Sequence, residues 1–224
     1  MKLMVLGAYG QLGRRVVELA NQQHWQVVAV AHRAHAEINL NPATILIKDV
    51  RQLTKTDVAG FDVIVDATGG WQSKTAPIIY AGLAHVVQLL SDGQTRYLKV
   101  GGANTLYINR DHSQQLQTLD SYYPAKYRYL CNVHNQALTL LRTYSNIPWT
   151  YVTPPVNFVR QGAATGHYHV DGEDFRPNLR GDDGHNDYIS YADFALGIIE
   201  IIAQQRYLRQ QITLVHGDLP TTNE

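Results

Sequence analysis

Seven residues near the start of the chain, Gly7-Ala8-Tyr9-Gly10-Gln11-Leu12-Gly13, constrain its fold more than any other feature. They join an apolar run, Met4-Val5-Leu6, to Arg14-Arg15-Val16-Val17-Glu18-Leu19-Ala20, whose apolar residues recur at a helical period. A buried strand, a glycine turn and an amphipathic helix, in that order, present backbone amides at a helix N-terminus, which is a site for a dinucleotide pyrophosphate. Gly7 lets the chain leave the strand sharply, Gly10 lets backbone N–H groups approach phosphate, and Gly13 permits close packing of helix on strand. The spacing is G-x-x-G-x-x-G rather than the G-x-G-x-x-G of many dehydrogenases, so its context must carry the assignment. That context fits, because Gln26-Val27-Val28-Ala29-Val30-Ala31 supplies the second strand of a βαβ unit.

The remaining pattern repeats this alternation. Short β-branched runs at Ala43–Lys48, Phe61–Asp66, Tyr97–Val100, Trp149–Thr153 and Gln211–Val215 read as buried parallel strands. Helical periodicity falls between them, over Ala76–Leu90, about Pro124–Tyr144, and after Ser190, where Asp193 three residues on suggests a capping box. With 224 residues the chain reads as one α/β domain, a Rossmann-like doubly wound parallel sheet with ligands at the carboxyl ends of its strands. Two excursions, 103–123 and 154–187, leave strand carboxyl ends and are expected to build a small substrate lobe, the second as a candidate lid. Residues 216–224 read as a loose tail.

Lysine plus arginine equals aspartate plus glutamate at 19 each, so charge gives no reason to expect nucleic acid or a membrane surface as partner; a small molecule is the expected one. Cys131 is the single cysteine, which excludes an intrachain disulfide framework, suits a reducing compartment and reads as a packing residue. No apolar run reaches the ~18 residues of a membrane span, and the chain opens on a core strand rather than a cleavable leader, so a cytoplasmic location is expected. His32, His35, His167 and His169 lack an accompanying ligand set, and no metal is expected. Nothing in the sequence sets the oligomeric state.

Gly7–Gly13, Val100-Gly101-Gly102-Ala103, Trp149-Thr150-Tyr151-Val152-Thr153-Pro154-Pro155 and Ile189-Ser190-Tyr191-Ala192-Asp193-Phe194-Ala195 together span nearly the whole chain. As a set they resemble the small atypical short-chain dehydrogenase/reductases with an NmrA-like NAD(P)-binding fold, a group that includes NAD(P)H-flavin reductases and biliverdin-IX-beta reductase. Tyr9 departs from the pattern, since relatives usually carry Thr or Ser there. The resemblance implies that Gly7, Tyr9, Gly10, Gln11, Leu12 and Gly13 hold the pyrophosphate. It also implies that Asp49 and Val50 border the adenine, that Thr68, Gly69 and Gly70, with Gly101, pass the ribose and phosphate, and that Pro154, Pro155 and Asn157 lie along the nicotinamide. Cofactor choice follows from residue chemistry. The second strand ends Ala29-Val30-Ala31-His32-Arg33 with no acid before Glu37, whereas an NAD site places a carboxylate there for the ribose hydroxyls. Arg33 offers a planar fork suited to a 2′-phosphate, so NADP(H) is favoured over NAD(H).

Tyr122-Tyr123-Pro124-Ala125-Lys126 matches the Tyr-x-x-x-Lys of standard short-chain dehydrogenases. Pro124 belongs at a helix start, however, so Tyr122 would precede the helix rather than share a face with Lys126. His134 resembles the histidine on the corresponding helix of biliverdin-IX-beta reductase and, with an ordinary pKa, would exchange protons near neutrality. Without a firm acid/base pair, a flat conjugated acceptor such as a flavin or quinone fits better than a carbonyl, because hydride transfer to it needs stacking and orientation more than a dedicated acid. Tyr107, Tyr122, Tyr123, Phe158 and Tyr168 are candidates for the stacking platform. The competing reading is a non-catalytic NADP(H)-binding redox sensor of the NmrA type.

Overall fold

The computed structural model describes residues 1–90, 93–175 and 187–217. In chain order these form β1 (Lys2–Leu6), α1 (Gln11–Gln22), β2 (Gln26–Ala31), β3 (Thr44–Ile47), α2 (Lys55–Val58), β4 (Val63–Asp66), α3 (Ile78–Leu89), β5 (Arg96–Val100), α4 (Arg128–Arg142) and β6 (Trp149–Thr153). They continue with β7 (Asn157–Val159), β8 (Tyr168–Asp171), β9 (Tyr188–Ser190), α5 (Tyr191–Ala203) and β10 (Gln210–His216). The main sheet has the order β3-β2-β1-β4-β5-β6-β10-β8. Its first six strands follow the doubly wound order, in which the reversal between β1 and β4 opens a crevice at the strands' carboxyl ends.

Alternation along the strands separates two apolar layers. Leu3 and Val5 of β1 join α1 and α5, through Val16, Val17, Ala20, Phe194, Ile198 and Ile202, on one face. Met4 and Leu6 join α3 and α4, through Ile79, Leu83, Val86, Val87, Leu138 and Leu141, on the other. The inner strands β1, β4, β5 and β6 therefore bury both faces, which is why they read as continuous apolar runs. β3 does not match the buried strand expected over Ala43–Lys48: it lies at the sheet edge, with Ile45 and Ile47 exposed. Arg96 opens β5 inside this core. Its guanidinium donates to the carbonyls of Ile201 and Arg206 at the end of α5 and to Thr150 Oγ1. Among the described residues no carboxylate pairs with it; the carbonyls of the last turn of α5 and of the segment just after it face it instead, and burial brings its pKa down to about 10.

Three further details depart from the sequence reading. β8 runs antiparallel to β10 and extends the main sheet, so part of the 154–187 excursion is sheet rather than lid, and β7 with β9 makes a second, two-stranded parallel ladder. Residues 176–186 of that excursion, and 218–224 of the expected tail, lie outside the described residues. Finally, Ser190 caps α5 by accepting from Asp193 N at 3.0 Å, but Asp193 does not return the bond. Its carboxylate accepts instead from Thr165 N, Gly166 N and Thr165 Oγ1, and so pins the loop leading to β8.

The close approach of α1 to β1 is set at Gly13, where a Cβ would lie 2.3 Å from the Gly7 carbonyl oxygen. Gly13→Ala is expected to destabilise the fold by about 1–3 kcal/mol, the range for overpacking a closed contact. Urea unfolding of the two proteins measures it.

Candidate functional site

At the crevice, Gly7 adopts φ +74° and its carbonyl accepts from Gly10 N at 2.9 Å, so the chain doubles back before α1 begins. A Cβ on Gly7 would meet the Ala67 carbonyl at 2.9 Å, in a backbone conformation that L side chains rarely adopt. Gly10 is the N-cap of α1 and brings no side-chain cap, and the first turn holds no acid. The leading amides of α1 are therefore left for an anion, with the positive end of the helix behind them.

A cleft of about 640 Å³ opens beside this turn. Of the residues expected from sequence, Gly7, Tyr9, Gly10, Arg33, Asp49, Val50, Thr68 and Gly69 line it. His32, His35, Lys48, Arg51 and Lys74 line it too, so one carboxylate, Asp49, faces four Lys/Arg side chains and two histidines. Asp49 is occupied: Arg51 donates to it from Nε, Nη2 and the backbone N, and those bonds take its pKa down to about 2. Lys48 is tied to Asp57 at 2.6 Å. Arg33 donates through Nε to His35 Nε2 at 3.1 Å, and His35 Nδ1 lies 2.9 Å from Glu37 Oε1. Among the described residues neither Arg33 nor Lys74 has a carboxylate partner. A glycine turn that a Cβ would fill, uncapped amides and cations without carboxylate partners are the donor set that a phosphorylated dinucleotide requires.

Behind the cleft floor lies a sealed polar cluster. Asp66 and Lys99 are register partners at the ends of β4 and β5, both fully buried, with Lys99 Nζ 3.0 Å from Asp66 Oδ1. Tyr97 Oη donates to Asp66 Oδ2, and Thr68 donates through both N and Oγ1 to Asp66 Oδ1. Lys99 also donates to the Thr68 carbonyl at 3.0 Å. Burial, with the Asp66 charge beside it, holds the Tyr97 phenol well above its ordinary pKa, so it stays a donor. The pair therefore clamps the Thr68–Gly69 edge of the cleft from below.

His134 stands on α4 with its ring against Gly102, where a Cβ would lie 2.7 Å from Cδ2, and Nδ1 3.2 Å from Tyr151 Oη. The expectation of proton exchange near neutrality does not survive this setting: burial, then the Lys99 charge, takes its pKa down to about 3. The ring is neutral at physiological pH. Tyr122 and Lys126 are not brought onto one helical face. Pro124 is extended ahead of a short 3-10 turn, α4 begins only at Arg128, and Lys126 Nζ lies 5.1 Å from the Tyr127 ring centroid.

The remaining sequence candidates fall outside the cleft lining. Leu12 is core, and Gln11 is exposed at the start of α1. Gly70 closes a turn, where a Cβ would come 2.3 Å from the Thr75 carbonyl oxygen, and Gly101 makes room for the Tyr151 ring. Pro154 and Pro155 are buried just after β6, and Asn157 is exposed on β7. Of the proposed platform aromatics, Phe158 packs on Tyr191 and Phe194, Tyr168 donates to Glu200, Tyr107 stacks on His112, and Tyr122 meets Phe175 edge-on. Tyr123 is half-buried, and its desolvation raises its pKa.

A family model described as NAD(P)H-binding matches residues 7–205. The chain belongs to this NAD(P)H-binding family. Uncharacterized protein YwnB of Bacillus subtilis is 29% identical over 216 residues, covering 96% of this chain and 98% of that protein. The crystal structure of SP1627 from Streptococcus pneumoniae, named a putative NADH-flavin reductase, is 34% identical with a TM-score of 0.86 over 96% of this chain and 99% of that one. ChuY of Escherichia coli O157:H7, described as an anaerobilin reductase, shares the fold at 19% identity and a TM-score of 0.71, over 99% of this chain and 100% of that one. The resemblance drawn from the four sequence segments is confirmed at the level of an NAD(P)H-binding family.

Lys74 and the Asp66–Lys99 pair were not anticipated. A signal for the pair existed: opposite charges close the two buried strands Phe61–Asp66 and Tyr97–Val100. Lys99→Met would strand the Asp66 carboxylate and is expected to cost about 3–5 kcal/mol in urea unfolding, with much of the loss recovered by adding Asp66→Asn. His134 yields a pH prediction. Between about 6.5 and 3 the unfolded chain binds a proton there that the folded chain does not, so stability falls as pH falls through that window. His134→Gln should remove this component, making the loss from pH 7 to pH 4 smaller by roughly 2–3 kcal/mol.

Proposed function

We propose that this NAD(P)-binding oxidoreductase passes hydride from NADPH to a flat conjugated acceptor of the flavin type. The carrying observation for NADPH is the adenosine end of the cleft. β2 runs out at Ala31 into His32 and Arg33 with no carboxylate for ribose hydroxyls, and Asp49, the one acid lining the cleft, is bound by Arg51. Arg33 spends Nε on His35, and its terminal nitrogens carry no ion pair. That arrangement suits a 2′-phosphate and disfavours none of the rest of the dinucleotide. The name of SP1627 specifies NADH, which makes nucleotide preference the sharpest point to test.

The acceptor follows from what His134 cannot do. A carbonyl reduction needs a proton donor beside the developing alkoxide, and here the histidine is neutral, Tyr151 is buried, and burial raises its phenol pKa. When bound, the reduced cofactor supplies hydride, and a flavin takes it together with one proton from water, leaving oxidised cofactor and dihydroflavin. The name of SP1627 points the same way. The protein's own share is to hold the dinucleotide on the amides of α1, fix the Thr68–Gly69 edge through Asp66 and Lys99, and keep the reacting end free of competing titratable groups.

NADPH absorbance followed with FMN, FAD or a quinone tests the reaction. Acceptor-dependent oxidation is expected, whereas binding without turnover would identify a redox sensor instead. Arg33→Ala should raise KM for NADPH about ten- to hundredfold, the equivalent of roughly 1.5–3 kcal/mol for charge-assisted hydrogen bonds, and leave KM for NADH unchanged. An unaltered NADPH-to-NADH preference would overturn the assignment of Arg33.

A further inference from the structure

Trp71 is 65% exposed, the most exposed large apolar side chain among the described residues, and its backbone is held in place. The loop that carries it leaves β4 through Thr68 and Gly69 and turns at Gly70. It is then closed by Thr75 N and Ala76 N, which donate to the Gln72 carbonyl at 2.9 and 2.8 Å. On its other side Tyr129 Oη, from the first turn of α4, donates to the Trp71 carbonyl at 2.6 Å. One flank of the loop, from Thr68 and Gly69 to Lys74 and Thr75, is cleft wall, and the opposite contact is the helix that carries His134. Trp71 thus stands at the rim between the nucleotide cleft and α4, fixed in position with its ring turned to solvent. A tryptophan so placed gives up apolar burial that the fold does not recover elsewhere.

The chemistry around it names a ligand class. Exposed Tyr127 lies just ahead of α4, and exposed Lys126 and Arg128 flank it, with no ion pair among the described residues. An electron-rich indole at a rim with cations nearby suits a planar, electron-poor heteroaromatic ring bearing an anionic tail. We infer that Trp71 is the stacking residue for the acceptor and that this acceptor is an oxidised flavin with a phosphorylated side chain. The inference rests on the reductase reading above but is separable from it.

Steady-state kinetics with FMN at saturating NADPH, together with quenching of tryptophan emission by FMN in the NADP⁺ complex, test it. Trp71→Ala should raise KM for FMN about five- to tenfold, leave KM for NADPH unchanged and abolish most of the quenching, since Trp149 is buried and Trp25 precedes β2, at the opposite end of that strand from the cleft. Trp71→Phe should recover most of the FMN affinity while still losing the emission change. Lys126→Ala/Arg128→Ala should weaken FMN more than riboflavin. If wild type turns over FMN and Trp71→Ala has the same KM, the inference fails while the reductase reading stands. Should wild type sediment as a dimer and a Trp71→Ala protein with unchanged FMN kinetics as a monomer, a second copy would occupy the indole, and that too would overturn the inference. Absence of FMN turnover in wild type defeats the reductase reading itself, and with it the inference.

Discussion

The contact on which the site depends is the one between α1 and the turn that precedes it. Because Gly13 has no side chain, the helix can sit with its first turn against the Gly7 carbonyl, and because Gly10 has none, the leading amides stay uncovered. A βαβ unit with a bulkier residue at either position could still form a sheet, but its helix would stand farther off or its amides would be capped. The apolar layers built by α1 with α5, and by α3 with α4, hold that geometry from both sides of β1. Anion affinity at this end of the molecule is therefore a property of backbone placement, and side chains refine it.

The Asp66–Lys99 pair does a different task at the same crevice. Two charges in the dry interior recover their desolvation only when every donor and acceptor is used. Here Asp66 accepts from Thr68, Tyr97 and Lys99, and Lys99 reaches the Thr68 carbonyl as well. A hydrophobic pair of the same volume would fill the space but would leave the Thr68–Gly69 edge without its tether. The residual field of Lys99 also reaches His134 and, after burial, is the second cause of its low pKa. One lysine thus fixes the cleft edge and adds to the effect of burial on the His134 ring.

Most strands of the main sheet, the main helices and the glycine turn were legible in the sequence because each is written in short-range terms: glycine spacing, apolar β-branched runs and helical apolar patterns. What was not legible is non-local. β8 gives no parallel-strand signal because its residues Tyr168–Asp171 are all half-buried at a sheet edge, and its partner β10 lies some forty positions away. Gly70 and Gly101 look like members of a phosphate-binding set, yet one answers to the Thr75 carbonyl and the other to the Tyr151 ring, neighbours that only folding supplies. The five candidate platform aromatics carry no mark that separates a packed ring from a free one, while Trp71, in a loop without periodicity, showed nothing until its exposure was known. His134 was assigned the wrong titration, because its burial, and after that the Lys99 charge on β5, arise only from folding.

These features divide the crevice into two electrostatic regimes. At the β2–β3 side of the cleft the Lys and Arg side chains are exposed or half-buried and are partly paired with Asp49 and Asp57, so their attraction for an anion is long in reach but screened by salt. At the β4–β5 end the charges are sealed, mutually satisfied and shielded from ionic strength. Increasing salt should thus act on cofactor capture and scarcely on the step that follows it.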